Sequence, residues 1–533
     1  MRRIFLFFGL MLPLFLSAQE DYFPYILKVN PVEIPNLPGL HSYAFAQHEG
    51  KWLVIGGRKD GLHARQPNAS FPANFNNTEI FVIDVKAKRY WMAPLDPLPV
   101  NLREQLQSTN MNFYQDGSKL LIIGGYGYSA SKNNHITYPF VTYVEVPDLI
   151  DAVINQRDIN PFFFQIPDER FAVTGGQLGK IGDTYFLIGG HRFDGRYNPM
   201  GGPSFTQTYT NQIKKFKLAP SIGPIGIIDY EEITDPVHLR RRDYNLVPQI
   251  FPDGSEGYMV SSGVFQINAD LPFLYPIDIT ADRYLPKTEF NQYLSNYHAP
   301  KVGLHDSERN QMHALFFGGM SQYYYQLGEL VQDNRIPFTK NISRVSRYPD
   351  GSLLEFLMPV EMPFLETASA EFIINNDLPR YSNQVIKLNE IEPEEFLIGH
   401  ILGGIASPTR NPFTDNQTNT TSAAAKIYEV KLIKSPIASI PAVDGSNPYV
   451  ISVFPNPFRD RVFVQFHTDK QIKIDYFIST PAGQLIDKGS FFSTQIGKNE
   501  KRIDLGPQVQ TPVLLITFVF EDKFYVTKKL ISN

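Results

Sequence analysis

The chain contains no cysteine and only two tryptophans in 533 residues. Without cysteine there can be no disulfide and no thiol for a lipid anchor, so an exported protein of this length must rely on a large buried core. Long apolar runs are also scarce. After the first 18 residues none approaches the ~20 consecutive apolar residues of a spanning helix, so no transmembrane segment is expected. Neither charge sign is in large excess: 49 basic against 54 acidic residues leave a net charge of −5. Duplex binding needs a concentrated basic face, so nucleic acid is not an expected partner. The 11 histidines are scattered, and neither a His-Glu-x-x-His run nor an EF-hand loop is present, so no metal or other cofactor is expected.

The amino terminus reads as a secretory signal over residues 1–18. Arg2 and Arg3 form its basic start, Ile4 to Leu16 its apolar stretch, and Ser17-Ala18 the small residues before a cut. The apolar stretch is too short for a membrane anchor.

What the chain has in abundance is a recurring pattern. Six times an apolar run ends in a pair of small residues: Gly56-Gly57, Gly124-Gly125, Gly189-Gly190, Ser262-Gly263, Gly318-Gly319 and Gly403-Gly404. The first members are spaced 68, 65, 73, 56 and 85 residues apart, so the unit is long and its variation belongs in loops. Around the first pair, His41 to Ala46 and Lys51 to Ile55 read as a hairpin, Glu79 to Asp84 as a third strand and Arg89 to Met92 as a fourth. A residue without Cβ tolerates positive φ and close backbone approach, which suits the end of the second strand. In the second unit, Pro147 to Asn155 reads as a short helix inserted before the outer strand, and Ser262 makes the fourth unit the least regular.

The hairpin, the apolar run, Gly-Gly and a later strand bearing Tyr90-Trp91 resemble kelch repeats over about residues 22 to 435. That resemblance implies a six-bladed β-propeller of four-stranded blades over residues 19–434. The last pair is followed by one clear strand, Ala425 to Ile433, so Tyr25 to Glu33 is expected to complete the sixth blade as its outermost strand.

Residues 435–448 are small, polar and proline-containing and read as a linker. Beyond them seven short apolar strands in about 85 residues predict a small C-terminal β-sandwich over 449–533. Phe454-Pro455-Asn456-Pro457-Phe458, the turn at Gly483 and the closing strand with Lys528 and Lys529 are similar to the type IX secretion C-terminal sorting domain. The resemblance implies that residues 449–533 engage the type IX secretion machinery and deliver the protein to the exterior of a Gram-negative outer membrane. Thr511-Pro512-Val513 departs from the family, which usually carries glycine before that strand. A carbohydrate-binding sandwich is the other reading of this module.

Function is then expected in the propeller loops. The segment before each first strand and the segment after each small-residue pair should emerge on one face. Six basic residues stand in the former: His41, Arg103, Arg170, Arg242, His298 and Arg380. Such cations bind carboxylates or cap and pair structurally. The latter segments hold Arg58, His63, Tyr126, Tyr128, His191, Arg192, Asp194 and Tyr323. Aromatic faces beside planar hydrogen-bonding groups suit a glycan, and the same mixture suits a surface protein ligand. A Tyr–Cys radical oxidase of the galactose oxidase kind is excluded by the missing cysteine. A sugar mutarotase of the six-bladed kelch type, using His191, Arg192 and Asp194 as acid–base groups, is the alternative to a binding protein.

Overall fold

The computed structural model describes residues 22–201, 204–219, 226–435, 442–505 and 511–532. The expected signal peptide, and residues 436–441 of the expected linker, lie outside them. The protein is all-β, with 49% of residues in strands and 6% in helices, and it is built from many small antiparallel sheets. Among the described residues no helix is long and apolar enough to cross a membrane.

Six sheets follow the sequence order. The first contains Ala44–His48, Lys51–Ile55, Glu79–Asp84 and Arg89–Pro94, each strand paired with the next. The second repeats this meander from Asn112–Asp116 to Phe163–Pro167, with the helix Val146–Ile154 inserted before its outer strand. That helix buries Leu149, Ile150 and Val153 in a core shared with Leu53, Ile80 and Leu120, which is why an amphipathic turn interrupts a strand-rich unit. The third and fourth sheets keep the same order, and the fifth gains two short flanking strands. In the sixth, Tyr25–Val32 pairs along its whole length with Ile427–Lys434, as expected from the shortage of strands after Gly404.

The small-residue pairs are the joints between sheets. Both members of all six pairs have positive φ, Ser262 at 57° included. The amide of the second member reaches the segment ahead of the next sheet: Gly57 to Ser108 O (2.9 Å), Gly125 to Val173 O (3.1 Å), Gly190 to Arg241 O (2.7 Å) and Gly263 to Asn296 O (3.1 Å). Gly319 reaches the hydroxyl of Thr367 (3.0 Å), and Gly404 returns to Leu40 O (2.9 Å). A Cβ on Gly124 would lie 1.8 Å from Val173 O, so the close approach itself requires glycine there.

Residues 449–532 supply seven further strands. Ile451–Phe454, Arg461–Thr468 and Gly497–Asp504 form one sheet; Leu485–Phe492, Lys473–Ser479, Val513–Phe520 and Phe524–Ile531 form another. Val462, Val464, Ile474, Ile516 and Phe518 are among the residues buried in the core they share. The described part of the expected linker is not a free tether: Ala442–Val443 adds to the edge of the fifth sheet, and Asn291 N donates to Gly445 O at 2.6 Å.

Candidate functional site

The segments before the first strands and after the small-residue pairs share one face, because they pair directly. His41 bridges Arg58, Thr109 bridges Tyr126, Thr174 bridges His191, Arg242 bridges Val264 and Ala368 bridges Ile405. Near the axis, Ser42, Asn110, Gly175, Asp243 and Ser369 all take positive φ. They are linked by backbone bonds: Asp243 N to Gly175 O, Gly175 N to Asn110 O, Asn110 N to Ser42 O, Ser42 N to Ser369 O and Ser369 N to His298 O. This partial ring has its ends at Asp243 and His298.

Against it lies a cavity of about 180 Å³ lined from five of the six sheets and by Asp243, just ahead of the fourth; Tyr43, Asn112, Gln177, Lys301 and Glu371 are among its other walls. Phe45 and Phe113, whose rings pack edge to face at 5.3 Å, contribute its apolar part. On the polar side His298 Nε2 lies 3.0 Å from Glu371 Oε1, and Lys301 Nζ lies 3.6 Å from Glu371 Oε2. Burial resists the charge on Glu371, but Lys301 and His298 outweigh it and hold the carboxyl below its ordinary range.

Above the ring, the segments after the second and third pairs do not remain loops. Tyr126–Ser129, Asn134–Thr137, His191–Gly195 and Phe205–Tyr209 form a four-stranded sheet of their own. It interlocks with the segment after the first pair, where the His135 ring meets Phe71 O at 2.8 Å and Arg196 Nε donates to Ser70 O at 2.8 Å. Within this layer His63, Phe71, Tyr126, Phe193 and Tyr197 form one aromatic cluster with centroid separations of 5.1–6.2 Å.

This sheet corrects several expectations. Along His191–Gly195 alternate residues face opposite sides, so His191 and Phe193 are buried while Arg192 and Asp194 point outward, paired with each other at 2.8 Å. Arg192 also pairs with Glu169. The three proposed acid–base groups are therefore not one constellation. Arg58 is 3% exposed and fully engaged: Nε and Nη2 grip Asp60 at 2.7 and 2.6 Å, and Nη1 reaches Asn76 at 2.8 Å. It anchors its own loop. The Tyr126 hydroxyl donates to Gly195 O, and Tyr128 is bonded to Asn133 within its hairpin.

Two expected residues sit elsewhere. Arg380 lies in the long connection between Glu371–Ile374 and Glu395–Leu402, where it donates to the carbonyl of Asn376; that insertion, not the mouth, accounts for its distance from Gly403. Tyr323 is buried against Tyr293, 6.0 Å from the Lys523 amine of the C-terminal module. Of the remaining cations, Arg103 donates to Asp96 O and Arg170 pairs with Asp168.

Arg242 adjoins Asp243 at one end of the partial ring, and His298 is its other end and lines the cavity. Arg242 Nε donates to the Tyr209 hydroxyl at 3.2 Å, Nη1 pairs with Asp243 at 3.2 Å, and its guanidinium lies 5.0 Å from the Phe265 ring. Arg240, two residues earlier, stacks 3.8 Å above the Tyr209 ring. Burial lowers Arg240, as does the neighbouring Arg242 charge, though Tyr209 opposes them. Tyr297 stands 6.4 Å from Phe265, and Tyr197, 5.3 Å from Phe193, is a neighbour of Arg242. His191, buried and facing both arginines, is held well below the usual imidazole range by burial and then by those charges, so it is neutral. Sequence reasoning missed Arg240, Tyr209, Phe265, Tyr297, Lys301 and Glu371. The run Arg240-Arg241-Arg242-Asp243 was the available signal, since three adjacent arginines cannot all serve one strand end.

No protein-family model and no curated protein matches this chain. Among solved structures, one titled "Structure of YjhT" is similar, with a TM-score of 0.40 and 10% identity over 75% of this chain and 98% of that one. Among the described residues no three His, Asp or Glu side chains gather as a metal site requires.

Proposed function

We propose that the protein is a secreted or cell-surface binding protein: a six-bladed kelch-like β-propeller with a C-terminal β-sandwich, exported by a signal peptide and type IX secretion. Its ligand, a glycan or a surface protein, enters at the mouth between the four-stranded cap and the fourth sheet. The observation that carries this reading is the arrangement of two arginines on Tyr209, Arg240 over its ring and Arg242 bonded to its hydroxyl, with Phe265 and Tyr297 beside them and Asp243, the partner of Arg242, lining the cavity. Guanidinium forks give directed bonds to hydroxyls or carboxylates, and aromatic rings stack on apolar sugar faces. Binding of full-length protein to a printed array of neutral and acidic glycans, compared with Arg242→Ala, tests it.

A second reading is a carbohydrate-active enzyme of the mutarotase type at the same mouth. It is favoured by Glu371 and His298, 3.0 Å apart in the cavity, which take the place of the dispersed His191, Arg192 and Asp194. Anomer exchange followed by NMR distinguishes the readings: exchange lost in Glu371→Gln and His298→Ala would favour catalysis.

For the tail, supporting features are the joined ends of its motif. Asn456 Nδ2 donates to Lys529 O at 2.9 Å and Asn456 Oδ1 accepts from Ile531 N at 2.8 Å, while Phe454, Pro455, Pro457 and Lys529 stay exposed. Lys528 is half-buried, Phe458 is buried, and Gly483 is turned against Thr234.

A further inference from the structure

A strand on the surface of a two-sheet module should be apolar on one face only, yet Val513–Phe520 is apolar at seven of its eight positions. Leu514, Ile516, Phe518 and Phe520 enter the module's own core. Val519 faces the other way. With Phe477 and Tyr525 it joins a cluster formed by Val237, Leu239, Phe273 and Tyr275 of the fourth-sheet region. Phe477, Val519 and Tyr525 are 2%, 3% and 2% exposed.

The contact is directional as well as apolar. The Tyr525 ring lies 4.6 Å from Tyr275, and its hydroxyl donates to Gln266 Oε1 at 2.9 Å, while Gln266 Nε2 donates to Asp522 O at 2.6 Å. His238 sits between the Tyr275 hydroxyl (2.7 Å) and Thr527 Oγ1 (3.2 Å). Asn447 Nδ2 donates both to Thr288 O (2.9 Å) and to Tyr525 O (3.0 Å), tying the two bodies through one amide. A Cβ on Gly483 would stand 2.3 Å from Thr234 O, so the turn sits flush on the strand Ile227–Thr234.

The fourth sheet has reason to need this cover. Its outer strands, Ile277–Ile279 and Tyr284–Pro286, are three residues each, against six for Glu79–Asp84 and Arg89–Pro94. Arg241, fully buried, stacks 4.3 and 4.4 Å from Phe273 and Tyr275. The rings covering that guanidinium are themselves covered by Tyr525.

We propose that the C-terminal module is an integral part of the folded body of this protein, held by the fourth-sheet interface without need of chain continuity. The proposal stands on the interface and is independent of whether the module is an export signal.

The test uses the full chain with a protease recognition sequence inserted between Ala438 and Ser439. After complete cleavage, the C-terminal fragment is expected to co-elute with the rest at micromolar concentration on size exclusion, with a thermal midpoint close to that of uncut protein. In the same cut chain, Tyr525→Asp with Val519→Asp is expected to release it. Separation of the unsubstituted fragments with an unchanged midpoint for the larger one would overturn the proposal, and so would retention of the doubly substituted fragment. If the double variant does not fold, Tyr525→Ala in the cut chain replaces it, with faster fragment exchange expected and unchanged exchange counting against the proposal.

Discussion

The amide of Gly404 donates to the carbonyl of Leu40 at 2.9 Å, so the last small-residue pair of the chain is bonded to the segment ahead of its first sheet. The same two regions meet again where Tyr25–Val32 pairs with Ile427–Lys434. Both contacts span about 400 residues of sequence, and both belong to the sixth sheet and its neighbour.

Closure through Tyr25–Val32 makes the N-terminal strand part of the core. Leu27 is 4% exposed in a cluster with Ile398, Val430 and Leu432. Leu27→Ala is expected to cost about 2–5 kcal/mol, the range for emptying a buried leucine site. Urea unfolding followed by tryptophan fluorescence checks it, and exposed Ile26→Ala is the control, with a shift of about 0.5 kcal/mol or less expected for a surface change.

The joints predict an asymmetry among the small residues. Gly124→Ala places a methyl against Val173 O and keeps positive φ, so a loss of more than about 1 kcal/mol is expected. Ser262 already bears a Cβ at φ 57°, with its hydroxyl donating to Phe273 O at 2.6 Å. Ser262→Gly should relieve the backbone but remove that bond, giving a net change near zero in the same unfolding assay.

Stability should fall on acidification. Eight of the 11 histidines, His41, His63, His135, His191, His238, His305, His313 and His400, are held below the ordinary value of 6.5, chiefly by burial. His63 and His400 lie at about 4. Between those depressed values and 6.5 the unfolded chain takes up protons that the folded chain does not, so stability present above pH 6.5 is lost progressively below it. The thermal midpoint should therefore drop between pH 7 and pH 5; a midpoint that rises over that interval would contradict the buried, neutral assignments.

Deletion of residues 449–533 tests the sorting role, with the thermal midpoint of the truncated protein recorded alongside because the deletion also uncovers the fourth sheet. If the module carries the export signal, the truncated protein should be retained in the periplasm on cell fractionation. Normal surface display after the deletion would remove the sorting role and leave the fourth-sheet interface untouched by that result.

The repeat was legible in the sequence because two consecutive positive-φ residues after an apolar strand are a rare demand, met at every pair, even by Ser262. The seven C-terminal strands were legible for their alternating or continuous apolar character. The mouth was read less well. Residues 191–195 appeared as a polar loop rich in chemistry, but they form a strand, and its alternation divides His191 from Arg192 and Asp194. Spacing alone put Arg380 near the axis because the hairpin insertion before Gly403 has no marker of its direction. The triple arginine was visible, yet its division needed the fold: Arg240 and Arg242 at the mouth, Arg241 beneath the tail.

Binding of full-length protein to an array of neutral and acidic glycans tests the site most directly, run in parallel with Arg242→Ala, Tyr209→Ala and the outward-facing pair Arg192→Ala and Asp194→Ala. Capture of a defined glycan class by the parent protein is expected. At least a tenfold loss, about 1.4 kcal/mol, is expected for Arg242→Ala and Tyr209→Ala, with the other two within twofold of the parent. Capture undiminished by Arg242→Ala and Tyr209→Ala but abolished by Arg192→Ala or Asp194→Ala would contradict the placement of the site at the mouth.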